Sequence, residues 1–467
     1  MIAPHDLSSL DSAAKDALIL AQAETITLLQ KQVEALTQQV AVLSQRVAEL
    51  EAKLGKPPKT PDNSSLPPSR GHKAPGEPRI KSGVKGKPHQ GSHRDLHPNP
   101  TRTLDVRAER CLHCATDVSA MTQTALERYD RIELPAIKPD VTRVVLHGGL
   151  CPCCGKRFKA DAPQGLEPGS PFGPNLRAVI VYLRTTQAVS FERLSRLLRD
   201  LLGLEISEGA LVNIMAHSAK PFARAVAAIR QKLLSGSTLQ SDETSMRVGK
   251  KTWWTWVFHH GGSAAFVVAA SRGKDVVEDF LGAHRPDFWV SDRLAAQMGW
   301  ARKEHQVCLA HLLRDAQYAI DAGDRAFAPP LQALLRAACD IGRRRPQLAD
   351  ATLRAHAYKL EHRLDRLLRI APNGGEGEKL KRTIKRYRQH LFVFVTNREL
   401  PATNNGSEQA LRPCVLFRKV TNCFRSEWGA QLYATIRSVL ETARRRRIDP
   451  LRAIRLTLSG EPLPAAG

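Results

Sequence analysis

The feature that most constrains the fold is a change of hydrophobic period near residue 238. Three β-rich runs, STLQSDETSMRV, KTWWTWVFHH and SAAFVVAAS, follow one another with short glycine-containing turns between them. Such runs predict a three-stranded antiparallel meander. After them come a helical stretch, DVVEDFLGAH, a short apolar strand, DFWVSD, and HQVCLAHLLRDAQYAI, a strand that leads into a helix. The order predicts an α/β domain built on a mixed sheet.

Two aspartates occupy matching places in this sheet. The order meander, helix, strand, strand is that of an RNase-H-like sheet, in which the first and fourth strands lie side by side. Asp242 is on the first strand and Asp292 ends the fourth. Carboxylates placed in this way can hold two Mg²⁺ or Mn²⁺ ions roughly 3.5–4 Å apart, as phosphoryl transfer requires. Taken singly, each aspartate is better explained as a turn former or a helix cap, and Asp292 could cap a helix beginning at Leu294.

A third acid follows a helical and very basic stretch at about 315–390. The sequence Asn404-Asn405-Gly406-Ser407 predicts the start of a helix, with Glu408 in its first turn and Arg412 one turn later. An acidic side chain there can simply complement the helix dipole. The polar loop before it and the basic segment behind it favour a place in the site.

The charge of the chain indicates its partner. Its 467 residues include 70 Lys+Arg against 46 Asp+Glu, a formal net charge of +24. Because basic residues recur along the whole chain and neutralise phosphates, we expect a nucleic-acid partner. No apolar run reaches the length of a transmembrane helix, and the first residues lack the features of a secretory signal. We therefore expect a cytoplasmic, nucleoid-associated protein with no membrane partner.

An apolar repeat with spacings of three and four runs from Ile26 to Leu54. β-Branched residues fill its a positions and leucines its d positions, a choice that favours two parallel strands. We interpret residues 18–55 as a coiled coil that forms a homodimer, the alternative being a single amphipathic helix lying on a globular core.

Residues 56–100 contain ten prolines and five glycines, with nine basic residues against three acidic ones. This composition buries too little apolar surface to fold alone, so we predict a mobile basic linker. It could touch phosphates without reading sequence, or serve as a solubilising spacer.

Five of the nine cysteines fall within residues 101–165. Two C-x2-C pairs there are typical of a treble-clef or ribbon-type Zn²⁺ site, which fixes a small module lacking its own core. Cys153 is a spare thiol, His113 is a weaker substitute, and buried free thiols are the structural alternative. The predicted Zn²⁺ ligands are Cys111, Cys114, Cys151 and Cys154.

Residues 170–235 have apolar positions at helical spacing. Gly203 follows one helix, and Ser207 with Glu208 is typical of the cap of the next. Helix, short turn and capped helix form a helix-turn-helix pattern, which predicts a DNA-binding region but is also common in plain helical hairpins.

Motifs along almost the whole chain resemble those of insertion-sequence-66 family transposases, which are Asp-Asp-Glu enzymes with an RNase-H-like catalytic domain. The shared features are the coil, the PDNSSLPPS linker, the CPCCG knuckle, SDET around Asp242, VSD around Asp292, HQVCLAHLLRD, and NNGSEQALRP around Glu408. Two departures flank Asp292. Arg293 stands where the family often has glycine, and an aromatic residue usual shortly after is missing.

The resemblance implies that Asp242, Asp292 and Glu408 are the metal-binding triad of a catalytic domain spanning about 236–450. This multidomain α/β chain would carry a helical insertion at about 315–395 and end in a tail at 451–467. Water would attack a phosphodiester at an element end, and the released 3′-OH would attack target DNA. Small accessory proteins of the same element are implied as partners. The predicted DNA contacts are His311, Arg314, Arg412, Arg418, Lys419 and Arg425.

Three functions compete on these residues. The first is a transposase that cuts and joins DNA. The second is a nuclease or junction resolvase of the same fold that cuts without joining. The third is a DNA-binding regulator whose triad is inactive. His311 has a bland alternative as a core histidine, and substitution of Glu408 separates the enzymes from the regulator.

Overall fold

A computed structural model describes residues 12–53, 57–64 and 94–465 of the chain. The chain divides into two compact units. The larger contains Met1–His72, Pro171–Phe191 and Leu211–Gly467, and the smaller contains Lys73–Ser170 and Glu192–Ala210. No helix in the described ranges is long and apolar enough to cross a membrane.

The predicted coil is one long helix, α1, over Ser12–Lys53. The seam residues from Ile26 to Val47 are all exposed, which is the state of a coiled-coil seam without its second strand. The helix is therefore confirmed, and its pairing stays a prediction. Leu54, the last seam position, and most of the predicted linker lie outside the described residues.

Residues 57–64 lie at the start of the predicted linker. They form a turn held by the buried side chain of Asn63. Its Oδ1 accepts a hydrogen bond from Thr60 N at 2.7 Å, and its Nδ2 donates to Asp321 Oδ2 at 2.9 Å. Composition indicated no apolar burial here, but buried polar groups can be fixed by hydrogen bonds instead.

The smaller unit contains little regular structure between residues 94 and 170. Its strands β1, Gly148–Leu150, and β2, Arg157–Lys159, have three residues each and pair antiparallel, and every residue of both is exposed. Residues 94–147 contain no helix and no strand beyond an isolated bridge between Arg110 and Asp117.

Three helices precede the sheet, namely α2 over Pro174–Thr185, α3 over Phe191–Leu202 and α4 over Glu208–Leu234. Gly203 ends α3 with a φ of 63°, a left-handed conformation that suits glycine. Ser207 Oγ accepts a hydrogen bond from Ala210 N at 3.2 Å, so the predicted cap of α4 is confirmed. The helical pattern is present, and its role in DNA binding stays a prediction.

The five-stranded sheet has the order β5-β4-β3-β6-β7. The first three strands in the chain pair antiparallel, β6 pairs parallel with β3, and β7 pairs parallel with β6. The predicted meander and the neighbouring first and fourth strands are confirmed, and the sheet is compatible with an RNase-H-like catalytic domain. The strands are β3 Thr238–Val248, β4 Lys251–His260, β5 Ser263–Ala269, β6 Phe288–Ser291 and β7 Glu304–Val307, with helix α5, Lys274–Leu281, between β5 and β6.

Aromatic side chains fill the core beneath the sheet. Trp256, Phe258 and Trp289 are fully buried. The ring of Phe258 stacks on that of Phe280 from α5, with centroids 3.9 Å apart. Because each such ring removes a large apolar surface from water, this core fixes where β3 and β6 lie.

A helical insertion follows β7, and its helices share an apolar core with Val290 of β6 and Val307 of β7, in which Leu331, Leu335 and Leu364 are fully buried. The chain leaves and rejoins the sheet at one place. Leu309 N donates to Ala402 O at 3.0 Å, shortly before the helix that carries Glu408 begins at Asn405. The insertion helices are α6 Leu309–Asp321, α7 Ala328–Arg344, α8 Asp350–Leu367, α9 Gly375–Arg386 and α10 Val393–Thr396.

Three helices close the chain: α11 over Asn405–Thr421, α12 over Glu427–Arg445 and α13 over Pro450–Ser459. Helix α12 lies along β5, an edge strand of the sheet. Ser438 Oγ accepts from Phe266 N at 2.8 Å, and Thr442 Oγ1 accepts from Ala264 N at 3.1 Å. Hydroxyl groups of a helix therefore satisfy donors that an edge strand would otherwise expose.

Glu441, on the same helix, is fully buried among cations. Its carboxylate lies 3.7 Å from Arg437, 2.6 Å from Arg444 and 3.0 Å from Arg445. A buried carboxylate surrounded by hydrogen-bonded guanidinium groups is a compensated charge.

Candidate metal centre

The parallel pairing of β3 and β6 brings two aspartates together. Gln240 on β3 pairs with Val290 on β6. Asp242 lies two residues beyond Gln240, and Asp292 lies two residues beyond Val290. Because the offsets are equal in strands that run the same way, the two carboxylates reach the same level of the sheet.

Glu243 joins these aspartates to form a group that we call the carboxylate cluster: Asp242, Glu243 and Asp292. One oxygen from each residue lies within 4.8 Å of the other two. Sequence reasoning missed Glu243, because neighbouring residues of a strand point to opposite faces. The available signal was the pair of consecutive acids in SDET.

The two oxygens of Glu243 have partners within the protein. Arg272 donates to Oε1 from Nη2 at 2.6 Å and from Nε at 2.9 Å, and Gln297 Nε2 donates to Oε2. The Arg272 guanidinium in turn lies over the ring of Trp254, 4.5 Å from its centroid. Glu243 is thus a clamped acid, whereas the two aspartates beside it are not clamped in this way.

Burial raises the pKa of Asp242 well above its ordinary value, and the nearby charges of Asp292, Glu243 and Glu408 raise it further. Burial and Asp292 also raise the pKa of Glu243, although Arg272 opposes them. Carboxylates that repel one another in this way gain most from a cation between them. Oxygen donors at this spacing fit a hard divalent ion such as Mg²⁺ or Mn²⁺.

Asp292 also has one of the structural roles that the sequence left open, that of a turn former. Its Oδ1 accepts a hydrogen bond from Leu294 N at 2.9 Å. No helix begins at Leu294, which is the N-cap of a single 3₁₀ turn at Ala295–Gln297 with no side-chain capping bond. The next residue, Arg293, forms an ion pair with Asp315 on α6. That contact gives the Arg293 guanidinium a partner within the protein.

Glu408 lies in the first turn of α11, as predicted. Its Oε1 is 3.8 Å from Arg314 Nη1 and 4.0 Å from His311 Nε2, both on α6. Glu408 is not part of the group of oxygens within 4.8 Å, but its charge acts on Asp242. The structure therefore brings the two predicted aspartates together and places Glu408 beside them, facing a basic side chain.

The charges of both Asp292 and Glu408 act on His311. Burial lowers the pKa of His311, and the charges of those two acids partly raise it again. The imidazole is therefore neutral near pH 7 and offers one donor and one acceptor nitrogen.

The other predicted DNA contacts fall into two groups. Arg412, Lys419 and Arg425 are exposed on α11 or just after it. Arg418 differs, because its guanidinium donates to Ser245 O of β3. That side chain therefore supports the strand that carries Asp242.

The predicted zinc ligands lie on two turns of the same design, residues 111–115 and 151–155, here called the cysteine turns. In the first, Cys111 N donates to Thr116 O at 2.9 Å and Ala115 N donates to Cys111 O at 2.9 Å. In the second, the equivalent bonds from Cys151 N to Lys156 O and from Gly155 N to Cys151 O are 2.9 and 2.8 Å.

The backbone shape of the two cysteine turns also agrees. Ala115 and Gly155 both adopt positive φ, at 58° and 68°. A hydrogen bond from Thr116 lowers the pKa of the Cys114 thiol, and backbone N–H groups of Cys154 and Cys153 lower that of Cys151. The thiols of the two turns do not meet in one group: among the described residues, only the carboxylate cluster gathers three possible ligands within 4.8 Å. A four-thiolate site stays a prediction.

Comparison with known families identifies a matching family. The model of the family described as Transposase IS66 family matches residues 169–432, more than half of the chain. The matched range contains Asp242, Asp292 and Glu408, and it leaves α1 and the cysteine turns outside. No curated protein matches the chain significantly.

Proposed function

This chain belongs to the IS66 family of transposases, and from that premise we propose that it cuts DNA at the ends of its element and joins those ends to target DNA. Membership of the family implies a DNA substrate and the use of divalent metal ions. The observation that carries the proposal is the parallel pairing of β3 with β6, which sets Asp242 and Asp292 side by side.

Asp242, Asp292 and Glu408 are the proposed ligands of two Mg²⁺ or Mn²⁺ ions. The raised pKa of Asp242 supports this role, because its cause is a set of acidic neighbours that a cation would neutralise. When bound, such ions supply charge that stabilises the attacking and leaving oxygens of an in-line displacement. Glu243 remains clamped by Arg272 and supports the wall of the site.

Basic side chains around Glu408 have the proposed task of holding DNA in line. Arg314 and His311 lie beside its carboxylate, where they orient it and can reach a phosphate. The exposed Arg412, Lys419 and Arg425 extend the positive surface from α11. Positioning and charge stabilisation supply much of the rate of phosphoryl transfer, so these contacts would act on turnover as well as on affinity.

Helix α1 is proposed to pair with α1 of a second copy and so unite two element ends in one complex. Its exposed seam, from Ile26 to Val47, supports this role. The alternation of β-branched residues with leucine favours two parallel strands over higher assemblies. The helix-turn-helix pattern of α3 and α4 is the proposed reader of the ends.

The cysteine turns are proposed to bind one structural Zn²⁺ through Cys111, Cys114, Cys151 and Cys154. Two turns with the same hydrogen bonds and the same positive φ support this assignment. A pair of such turns supplies four thiolates, the number that a closed structural Zn²⁺ site takes.

A strand-transfer assay tests the proposed function. Purified protein is mixed with Mg²⁺ or Mn²⁺, labelled DNA carrying the ends of the element and a plasmid target. Wild type is compared with Glu408→Gln and with Glu427→Gln, an exposed glutamate in the first turn of α12. The control makes the same chemical change at an equivalent helix position outside the site.

Joined product from wild type and Glu427→Gln, but not from Glu408→Gln, supports the transposase. Cleavage without joining in all Mg²⁺ and Mn²⁺ conditions replaces it with a nuclease. DNA binding with neither reaction, when accessory proteins are supplied, replaces it with a regulator that has lost catalysis.

A further inference from the structure

Asn404 occupies the N-cap position of α11, four residues before Glu408, and its side chain is fully buried. An asparagine at this position ordinarily accepts a hydrogen bond from a backbone N–H in the first turn of its helix. The side chain of Asn404 makes no such capping bond. Its burial and polarity therefore need another explanation, because buried amides are kept only with partners.

The polar groups of Asn404 bond to three separate elements. Nδ2 donates to Ser241 O of β3 at 2.8 Å, and Oδ1 accepts from Ser407 Oγ at 2.6 Å. The backbone N donates to the sulfur of Cys308, the N-cap residue of α6, at 3.0 Å. One residue thus connects β3, α6 and α11.

Each partner of Asn404 is close in sequence to a residue of the proposed site. Ser241 precedes Asp242, and Ser407 precedes Glu408. Cys308 begins the helix that carries His311. The bonds of Asn404 therefore connect β3, which carries Asp242, with α11, which carries Glu408.

Ser241 extends this connection to β6. Its Oγ accepts from Trp289 Nε1 at 2.8 Å and donates to the side-chain oxygen of Gln297, just beyond Asp292. Through Ser241, Asn404 is therefore connected to Trp289 and Gln297, which lie before and after Asp292 in the chain.

The direction of the bond from Ser407 follows from the other bond of the Asn404 amide, because Nδ2 must donate to the carbonyl oxygen of Ser241 and Oδ1 is left to accept from Ser407. Ser407 Oγ lies 2.8 Å from Nε2 of the buried His259. Burial and the charge of Arg445 lower the pKa of His259, so the imidazole is neutral. Since the single hydroxyl hydrogen of Ser407 goes to Asn404, the proton of His259 is on Nε2 and is donated to Ser407. The network has a single arrangement of donors and acceptors.

We propose that Asn404 is a positioning residue of the metal centre, which holds Asp242 at a fixed separation from Glu408 by bridging Ser241 and Ser407. The proposal rests on the proposed function, since it takes those acids as metal ligands. Groups that orient metal ligands without touching the ion change metal affinity by roughly 10- to 100-fold when they are removed.

The substitution Asn404→Leu tests this role. Leucine is close to asparagine in size but can neither donate to Ser241 O nor accept from Ser407. Asn405→Leu is the control, because Asn405 is the exposed neighbour in the same motif. Mn²⁺ dissociation constants are measured on the full chain without DNA, by electron paramagnetic resonance, and Tm is measured on the same samples.

We expect Asn404→Leu to weaken Mn²⁺ binding roughly 10- to 100-fold and Asn405→Leu to leave it nearly unchanged. Neither substitution changes the charge of the protein, so a difference between them reports positioning and not electrostatics. A folded Asn404→Leu variant with wild-type or tighter Mn²⁺ binding overturns the proposal, even if its Tm is lower.

If Asn404→Leu does not fold, Ser407→Ala takes its place, with a weaker but measurable loss of Mn²⁺ affinity expected. Unchanged affinity in that variant overturns the proposal. Wild-type protein that fails to bind Mn²⁺ overturns the proposed function itself, and the role of Asn404 with it. Wild type that binds Mn²⁺ beside an unaffected Asn404→Leu variant removes only the role of Asn404.

Discussion

The carboxylate cluster and the cysteine turns are two candidate metal sites built in opposite ways. The strands that carry the cluster are flanked by fully buried tryptophans, Trp256 and Trp289, and their register is fixed by the pairing of the strands themselves. The cysteine turns lie in a region whose larger apolar side chains, such as Leu112 and Leu126, are almost fully exposed.

The difference shows whether the protein core or the bound metal ion holds the ligands of each site in place. A protein core large enough to bury aromatic rings can hold mutually repelling acids in place and leave their charge for a ligand to neutralise. A segment without a core cannot do this, and in such segments the free energy of metal binding is the free energy of folding. The cluster should therefore survive without metal, whereas the cysteine region should not.

The largest expected effect is the loss of zinc from the cysteine region. Cys151→Ser should release Zn²⁺, whose binding contributes about 10–16 kcal/mol in comparable modules. Hydrogen exchange should then become unprotected across residues 101–165 and stay unchanged in β3 to β7. Cys153→Ser, a thiol of the same turn, should keep the metal. Wild-type protein that contains no zinc yet protects residues 101–165 would remove the contrast between the two regions.

A smaller effect is expected for Glu441, a buried carboxylate whose charge is balanced by neighbouring arginines. Glu441→Gln leaves the guanidinium groups of Arg437 and Arg445 without their buried anion and should destabilise the protein by about 3 kcal/mol. Glu427→Gln, exposed on the same helix, should change the free energy of unfolding by less than about 0.5 kcal/mol. Urea unfolding measures both, and equal values would show that Glu441 is not a structural anion.

The smallest expected effect is a gain in stability, on substitution of Asp242. The pKa of Asp242 is raised in the folded protein, so above its ordinary value of 3.8 the native state binds more protons than the unfolded state. Stability is therefore lost as the pH rises through the raised pKa. At pH 7 without metal, Asp242→Asn should raise Tm by roughly 2–4 °C, for a gain of about 1 kcal/mol.

The gain from Asp242→Asn should shrink as the pH approaches 3.8, and Mg²⁺ should reverse the order by stabilising wild type alone. Asp279→Asn, an exposed aspartate on α5, is the control and should show no such pH dependence. Thermal melts between pH 4 and 8, with and without Mg²⁺, provide the comparison. A lower Tm for Asp242→Asn without metal would mean that the cluster is not under electrostatic strain.

The sheet and two of its acids could be predicted from the sequence because their signals are local. Alternating apolar residues mark each strand, and glycine-containing turns mark the meander, so the neighbouring positions of Asp242 and Asp292 follow from strand order. Glu408 was predictable as a first-turn residue because Asn404 and Ser407 precede a helical pattern.

What the sequence could not provide depends on contacts between distant residues. The clamp of Arg272 on Glu243 brings together side chains on different elements, and alternation along β3 argued against a second acid there. The engagement of Arg418 with Ser245 likewise depends on how α11 crosses β3. The turn at Asn63 was missed because its anchor, Asp321, lies far along the chain.

The helical insertion leaves the sheet after β7 and returns before α11 at points joined by two hydrogen bonds, from Leu309 N to Ala402 O and from Asn404 N to the sulfur of Cys308. The distance that it must bridge is therefore already set by the parts it connects. Because the entropy of closing such a loop rises only slowly with its length, the chain beyond α6, the helix that carries His311 and Arg314, can lengthen or shorten while Asp292 and Glu408 stay where they are. The part of the insertion beyond α6 is therefore where a change in chain length should disturb the candidate site least.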